Sequence, residues 1–262
     1  MGEHGLRLDR RPDGVATLTL DRPDRKNAFD EALIDALTEQ LDRLAGDRGV
    51  RALVLTGAGT AFSAGGDLDL MRRAATLGRE ANLAEARRIV AMLGALDRFP
   101  VPTIAKVNGV AVGGGVGLIA ACDIAIAAEH AVFAVSEVRI GLLPSVVAPF
   151  VRRAIGERAC RRYFFTAERF DAGTAVRLGL IHEVTAVADL DNVVDGILAA
   201  LLQSGPEAIV HAKALLLALR DADAAVAVQR TTEAIAERRA SAEGREGVTA
   251  FLEKRRPAWH TS

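Results

Sequence analysis

Two glycine-rich segments stand out in the sequence: residues 108–117 read NGVAVGGGVG, and residues 62–71 read FSAGGDLDLM. Each follows an apolar run typical of a buried strand and precedes a pattern typical of a helix. This placement leaves backbone N–H groups free at a helix N-terminus, where they favour a negative charge. Because glycine has no Cβ, a ligand can also approach the main chain closely there. Both segments are therefore predicted to bind an oxyanion.

Other glycine-rich sites fit these segments less well. A phosphate-binding P-loop ends in Gly-Lys-Ser or Gly-Lys-Thr, which neither segment contains. The spacing of Gly115, Gly117 and Ala120 matches a relaxed dinucleotide-binding pattern, with Glu137 following further on. That pattern is common by chance, and the glycine triplet lies too far beyond Val107 for the tight first turn. Close helix packing alone explains Gly117 but not both segments together.

Strand and helix patterns alternate through the first two-thirds of the chain. Apolar runs predict strands at Val15–Leu20, residues 52–56, Thr103–Val107 and Ile124–Ala128. Helical spacing predicts helices at residues 29–44, 82–97 and 113–121, with Asn27 and Asp30 as caps of the first. Repeated strand, helix, strand units give parallel strands with right-handed crossovers, so this part is predicted to be an α/β domain.

The last third of the chain is predicted to be mainly helical. Helices are expected at residues 145–155, 157–168 and 171–178, then from residue 188 onward, with one short strand at residues 180–184. These helices carry many alanines and leucines. They must therefore bury a broad apolar face, either against their own sheet or against other subunits.

Composition excludes several classes of protein. The chain has 33 Lys plus Arg and 34 Asp plus Glu, a net charge of −1, which argues against a generic nucleic-acid binder and against a basic surface for anionic lipid. The charge-free stretch at residues 107–122 is shorter than the roughly 20 apolar residues of a membrane helix. The charged N-terminus lacks a signal-peptide core, and Cys122 and Cys160 show no metal or disulfide pattern. The sequence predicts a cytoplasmic protein.

Acidic residues are better candidates for proton transfer than histidines. No histidine has a ligand-type or Ser-His or Cys-His pattern around it, so surface or capping roles are predicted for His4, His130, His182, His211 and His260. Asp67 follows Gly66 at a helix start, where a role as a helix cap is as well supported as a functional one. Glu137 lies in an otherwise apolar run, which is expected to raise its pKa and suits a general acid or base.

The segments together resemble a known family. FSAGGDLDLM, NGVAVGGGVGLIAACDIAIA, FAVSEVRIGLLP and GERACRRYFFTAERFDAGTAVRLGLIHEV are similar, in order and spacing, to the enoyl-CoA hydratase/isomerase (crotonase) superfamily, and EGREGVTAFLEKRRP resembles its C-terminal helix. The resemblance implies an α/β, ClpP-like spiral of ββα units at residues 1–200. It also implies a C-terminal helical region at residues 201–262 that forms homotrimers or dimers of trimers.

The resemblance also implies a catalytic site. The backbone N–H groups of Ala64 and Gly114 would hold the oxygen of a substrate thioester as an enolate forms. Losing one such donor typically costs about 10²- to 10³-fold in rate. Family hydratases commonly use two glutamates. This chain has one of them, Glu137, while Gly117 stands at the position of the other, so Glu137 is expected to activate water and return a proton to the α-carbon.

Coenzyme A is expected along the same segments, as part of the substrate and not as a separate cofactor. Residues that match the family's adenine-binding stretch are Ser63, Ala64, Gly66 and Asp67, with Gly114 beside the thioester and Lys26 and Ala28 beside the pantetheine. Arg25 and Lys26 are candidates to face phosphates. No metal is implied.

The pattern GGxxGLI, together with SEVRIGL and AIGERACRRYFFTAERF, is most similar to that of bacterial 3-methylglutaconyl-CoA hydratases. Isohexenylglutaconyl-CoA hydratases are the next most similar group. The resemblance therefore implies a hydratase acting on a branched glutaconyl-CoA in leucine, isoprenoid or fatty acid breakdown. Gly117 suits such a substrate because it is expected to add room and to remove a negative charge near the distal carboxylate, for which Arg139 is a candidate partner. Two alternatives are an enoyl-CoA isomerase on the same scaffold and a non-catalytic acyl-CoA-binding or RNA-binding protein, against which the net charge argues.

Overall fold

Two sheets form the centre of the computed structural model, which describes residues 3–260. The larger sheet holds strands β1 (Leu6–Arg10), β2 (Val15–Leu20), β3 (Ala52–Gly57), β5 (Thr103–Val107), β7 (Ile124–Ala128) and β10 (Glu183–Thr185), in that spatial order. Its first pair is antiparallel and every later pair is parallel. The smaller sheet holds β4 (Ala61–Ser63), β6 (Val110–Val112), β8 (Val132–Ala134) and β9 (Phe170–Asp171).

Ten α-helices surround the two sheets in the described part of the chain. They are α1 (Glu31–Ala45), α2 (Leu68–Ala74), α3 (Arg79–Asp97), α4 (Gly114–Ala121), α5 (Ala148–Thr166), α6 (Ala172–Leu178), α7 (Leu190–Gln203), α8 (Pro206–Leu219), α9 (Ala224–Ala240) and α10 (Ala242–Leu252).

The chain forms a spiral of repeated ββα turns. Three times a long strand enters the larger sheet, a short strand enters the smaller one, and helices return the chain: β3 and β4, then β5 and β6, then β7 and β8. The α/β class expected from the sequence is confirmed. Sequence periodicity missed the short strands of the smaller sheet because two or three residues cannot show a repeat.

The core explains why these elements form. Strand β3 is buried along its whole length, between α1 and α7 on opposite faces of the larger sheet. Helix α1 turns one face inward, with Leu33, Leu37, Leu41 and Leu44 at about 1% exposure or less. Both faces of the sheet are therefore covered, as a parallel sheet requires.

The two residues predicted to cap α1 have different roles. Asp30 is the N-cap, and its side chain accepts the Leu33 N–H at 3.0 Å. Asn27 is fully buried, and its side-chain amide donates to the carbonyl oxygens of Ala58 and Ala61 at 2.9 and 2.8 Å. Its predicted capping role is wrong, because this side chain ties the loop before α1 to β4.

The helices at residues 145–155 and 157–168 of the sequence analysis correspond to α5. This helix is broken at Gly156, whose φ of 76° and ψ of 159° are not helical. The two predicted helices are therefore the two arms of α5, and their junction lies where it was expected.

Helices α8, α9 and α10 contact the rest of the chain sparsely. The buried residues within them are Lys213 and Ala250. Lys213 donates to Asp123 Oδ2 at 2.6 Å and to the Val101 carbonyl at 3.1 Å, beside a cavity of about 570 Å³ between α8 and the core. Large exposed apolar residues on these helices are Leu216, Val228, Ile235, Val248, Phe251 and Leu252. Subunit contacts through this region stay a prediction.

No single helix among residues 3–260 is long and apolar enough to cross a bilayer, although Val187–Gln203 with Pro206–Leu219, a pair bent by 104°, meets the requirement by length and composition.

Candidate active site

Glu137 lies directly against the second glycine-rich segment. It opens a 3-10 turn, Glu137–Ile140, just after β8, and its Oε1 is 2.9 Å from the position that a Cβ on Gly113 would take. Gly113 also has a φ of 51° with ψ of −113°, a conformation that suits glycine. The absence of a side chain at this residue therefore lets the carboxylate reach the start of α4.

The Glu137 carboxyl lies in a partly buried environment that changes its pKa. Burial raises its pKa, and the nearby backbone N–H groups of Ser136 and Glu137 offset part of that rise. Its Oε2 is buried and has no hydrogen-bond partner among residues 3–260. A carboxyl with a raised pKa and a free oxygen suits a general base that takes up a proton and later returns it.

Gly114 supplies one backbone donor next to this carboxylate. It is the first residue of α4, so its N–H has no acceptor within the helix. The position of a Cβ on Gly65 would be 3.1 Å from the Gly114 nitrogen and 2.7 Å from the Val112 carbonyl oxygen. The two glycine-rich segments therefore lie close together at their turns.

The second predicted donor, Ala64, is not available. Its N–H donates to the Lys26 carbonyl at 2.9 Å, and the next N–H, of Gly65, donates to Ser63 Oγ at 3.1 Å. The N–H of Gly66 is the one in this turn without a partner in the described chain. The assignment of Ala64 is therefore corrected to Gly66. Spacing in a sequence cannot show which amide of a turn is already bonded.

Other residues predicted to contact coenzyme A shape the same loop. Lys26 has a left-handed φ of 51° and uses its carbonyl to hold Ala64. Ala28 is 7% exposed, and its carbonyl accepts Arg22 Nη1 at 2.6 Å. Ser63 is fully buried, and its hydroxyl donates to the Asn27 carbonyl at 2.9 Å. Their contacts with coenzyme A stay a prediction.

Asp67 is both a helix cap and the centre of an ion-pair cluster. Its side chain is 2% exposed and accepts the Asp69 N–H at 2.9 Å at the start of α2. The same carboxylate pairs with Arg22 at 3.1 Å and with Arg25 at 3.2 Å. Arg25 also pairs with Asp69 at 2.9 Å, so its guanidinium is engaged by two carboxylates.

The region beside Gly117 is filled. A Cβ on this glycine would lie 2.5 Å from Val147 Cγ1 and 3.5 Å from Leu93 Cδ1. The expectation that Gly117 adds room is therefore wrong, because the Val147 side chain packs into the notch that the missing side chain leaves.

Apolar side chains flank the site. Ile140, Leu142 and Leu143, which follow Glu137, are 60%, 52% and 75% exposed. On the other side, Met71 Cε is 3.5 Å from the position that a Cβ on Gly66 would take. Arg139 is exposed and forms no ion pair with any residue from 3 to 260.

Histidines lie outside this cluster. His182 Nδ1 accepts the Ala125 N–H at 3.1 Å, and His260 Nε2 lies 2.7 Å from the Gln203 carbonyl. Within the described residues, no group of three or more His, Cys, Asp and Glu could hold a metal ion.

The sequence and the fold of this chain are similar to those of known proteins. The family model for enoyl-CoA hydratase/isomerase matches residues 10–262. The chain belongs to this family. Among solved structures, an enoyl-CoA hydratase/isomerase family neighbour, the enoyl-CoA hydratase from Shewanella pealeana, is 44% identical with a TM-score of 0.94, covering 98% of this chain and 96% of that one.

Two further relatives in the enoyl-CoA hydratase/isomerase family are also similar to this chain. The structure of enoyl-CoA hydratase from Mycobacterium smegmatis is 38% identical with a TM-score of 0.94, covering 98% of this chain and 99% of that one. Hydroxycinnamoyl-CoA hydratase-lyase of Pseudomonas fluorescens is 34% identical over 77% of this chain and 74% of its own. These relatives place the ββα spiral described above in the crotonase fold.

Proposed function

We propose that this protein is a hydro-lyase that adds water across the α,β double bond of an enoyl-CoA thioester. The observation that carries the proposal is one carboxylate of raised pKa, Glu137, beside the free N–H groups of Gly66 and Gly114. Two backbone donors at the turns of two segments suit an oxygen that gains charge during the reaction.

In the proposed mechanism, the thioester oxygen accepts hydrogen bonds from Gly66 and Gly114. Glu137 removes a proton from water, whose oxygen attacks the β-carbon while the electron pair of the double bond moves onto the thioester oxygen. Glu137 then returns the proton to the α-carbon as the enolate collapses. One carboxylate serves both proton transfers, because Val147 fills the region beside Gly117. The scheme needs no cofactor apart from the coenzyme A of the substrate.

The proposed substrate class is a β-branched enoyl-CoA with a distal carboxylate, such as 3-methylglutaconyl-CoA, from leucine, isoprenoid or fatty acid breakdown. Three features support it. Apolar side chains at Ile140 and Leu142 suit a branched chain, the Gly117 face carries no negative charge, and Arg139 offers an unpaired guanidinium two residues after Glu137. An Arg–carboxylate pair would add selectivity for the anionic acyl chain.

A second candidate is a double-bond isomerase. The single carboxylate favours it, because one base can remove a proton from the α-carbon of a 3-enoyl-CoA and return it to the γ-carbon without water. Incubation with a 3-enoyl-CoA would then increase the absorbance of the conjugated thioester, whereas a hydratase consumes the conjugated 2-enoyl-CoA.

The decisive experiment is a panel of enoyl-CoA thioesters with the Glu137→Gln variant. We expect kcat/KM to be highest for 3-methylglutaconyl-CoA, and Glu137→Gln to lower kcat by about 10²- to 10⁴-fold while acyl-CoA binding persists. Glu129→Gln is the control, because Glu129 is exposed at the end of β7. Equal rates with crotonyl-CoA would contradict the substrate class, and an active Glu137→Gln enzyme would contradict the mechanism.

A non-catalytic role predicts another result. A protein that binds acyl-CoA without turning over any thioester of the panel would fit that alternative, and a salt-dependent shift of RNA mobility would favour RNA binding. Location in the cytoplasm stays a prediction of the sequence.

A further inference from the structure

Three elements meet at Gly117. Val147, which precedes α5, is fully buried, and its Cγ1 and Cβ lie 2.5 and 3.1 Å from the position of a Cβ on Gly117. Leu93 from α3, also fully buried, lies at 3.5 Å from the same position. Gly117 is thus a notch in α4, and Val147 is the side chain that fills it. We call this contact the Gly117–Val147 interlock.

Gly117 lies one helical turn after Gly113, and its N–H donates to the Gly113 carbonyl at 3.1 Å. Side chains on a helix lean toward its N-terminus, so a side chain at residue 117 would extend over the turn that begins at Gly113. Glu137 Oε1 lies 2.9 Å from the position that a Cβ on Gly113 would take. Any polar or charged group at residue 117 would therefore stand beside the acid–base group.

A short segment links the two ends of this arrangement. The Leu142 N–H donates to the Glu137 carbonyl at 3.1 Å, and the Ala148 N–H donates to the Pro144 carbonyl at 3.0 Å. Residues 141–143 are exposed, whereas Pro144 and Val147 are buried. Val147 is thus an anchor of the segment that begins at the catalytic carboxylate.

We propose that the Gly117–Val147 interlock is a positioning element of the active site, which fixes where the Glu137 carboxylate lies. Val147 fills the notch at Gly117, and this contact holds the 137–147 segment in the position that places Glu137 beside Gly113. This inference rests on the proposed hydratase function.

A size exchange tests the packing. In Gly117→Ala the new methyl would collide with Val147 Cγ1, so the 137–147 segment must shift, and we expect kcat to fall at least tenfold with little change in KM. Val147→Ala in the same chain removes the colliding atom, and the double variant should recover to within about threefold of wild type. Gly196→Ala is the control, because nothing lies within 4 Å of the corresponding Cβ in α7.

A charged side chain at residue 117 tests whether this position lies beside Glu137. In Gly117→Glu/Val147→Ala, a second carboxylate beside Glu137 should raise the pKa of Glu137, because like charges disfavour ionisation. The acid limb of the pH profile of kcat/KM should move to higher pH, and selectivity should shift from acyl chains with a distal carboxylate toward neutral ones. Gly117→Gln/Val147→Ala has the same size without the charge and should leave the limb in place.

The outcomes separate the two claims. Absence of turnover by the wild-type enzyme on every enoyl-CoA would overturn the proposed function. Two results would overturn the interlock while the proposed function stands, provided that the wild-type enzyme is active. One is a Gly117→Ala/Val147→Ala variant that does not recover activity. The other is an acid limb at the same pH in the Gly117→Glu/Val147→Ala and Gly117→Gln/Val147→Ala variants. Circular dichroism of each variant verifies that it is folded. If Gly117→Ala alone unfolds, the Gly117→Ala/Val147→Ala and Gly117→Gln/Val147→Ala variants still test the interlock.

Discussion

At the scale of single residues, the site depends on what each group has already bonded. Ala64 and Gly66 are two residues apart in one turn, yet the Ala64 N–H is held by the Lys26 carbonyl, whereas the Gly66 N–H stays free. Glu137 is also unsatisfied, because its buried Oε2 lacks a hydrogen-bond partner in the described chain. Unsatisfied groups of this kind lower stability and are typical of sites that bind a substrate.

The raised pKa of Glu137 predicts a pH-dependent stability difference. Its folded-state pKa lies above the ordinary 4.5, so the native state holds the proton more tightly than the unfolded chain does. Stability is therefore lost as pH rises from about 4.5 through the folded-state pKa, and the loss is complete above it. Glu137→Gln removes the ionisation, so its Tm should exceed that of wild type at pH 8.

The difference in Tm between Glu137→Gln and wild type should shrink toward pH 4, where both carry a neutral side chain. Thermal unfolding followed at several pH values measures it. A Tm difference that is constant across this range, or that reverses sign, would show that burial does not raise the pKa of this carboxyl.

At the scale of elements, glycines place the helices that build the site. One of them is Gly156, at the junction of the two arms of α5, the helix that begins directly after Val147. Gly156 has a φ of 76°, which an L side chain rarely adopts, while no neighbouring atom lies within 4 Å of its Cβ position. The requirement for glycine there is thus one of backbone conformation and not of space.

Gly156→Ala should consequently destabilise the protein by about 1 to 3 kcal/mol through backbone strain. Gly196→Ala in α7 has equal space and no positive φ, so it should be neutral or stabilise by up to about 1 kcal/mol. Urea unfolding of both variants measures the contrast. If the two substitutions had the same effect, strain at Gly156 would not be the reason for the break in α5.

At the scale of the whole molecule, the C-terminal helices are attached to the core through charged groups. Asp97 on α3 pairs with Arg153 of α5 at 2.6 Å and also with Arg220, just after α8. Lys213 on α8 supplies another attachment, to Asp123. Helices held in this way leave apolar side chains such as Phe251, at 82% exposure, without cover from residues 3–260. Exposed apolar surface of this kind favours association between subunits.

Assembly into trimers or dimers of trimers, which the family resemblance implies, stays a prediction. Light scattering should give a mass of three or six times the 27.7 kDa of one chain. Phe251→Glu places a charge on the exposed apolar surface and should reduce the mass toward that of one chain, whereas Arg239→Glu, also exposed and on α9, should not. A wild-type mass of 27.7 kDa would contradict the expectation.

Local patterns in the sequence were sufficient for the parallel strands, the Asp30 cap, the break at Gly156 and the two glycine-rich turns. These features depend on residues near one another in the chain, and periodicity or backbone preference reports them. The raised pKa of Glu137 was also expected in this way, from the apolar residues around it in the sequence. Long-range packing decided the rest: that Lys26 binds the Ala64 amide and leaves Gly66 free, and that Val147, thirty residues after Gly117, fills its notch. No local signal carries these contacts, since each joins segments that meet only when the sheets assemble.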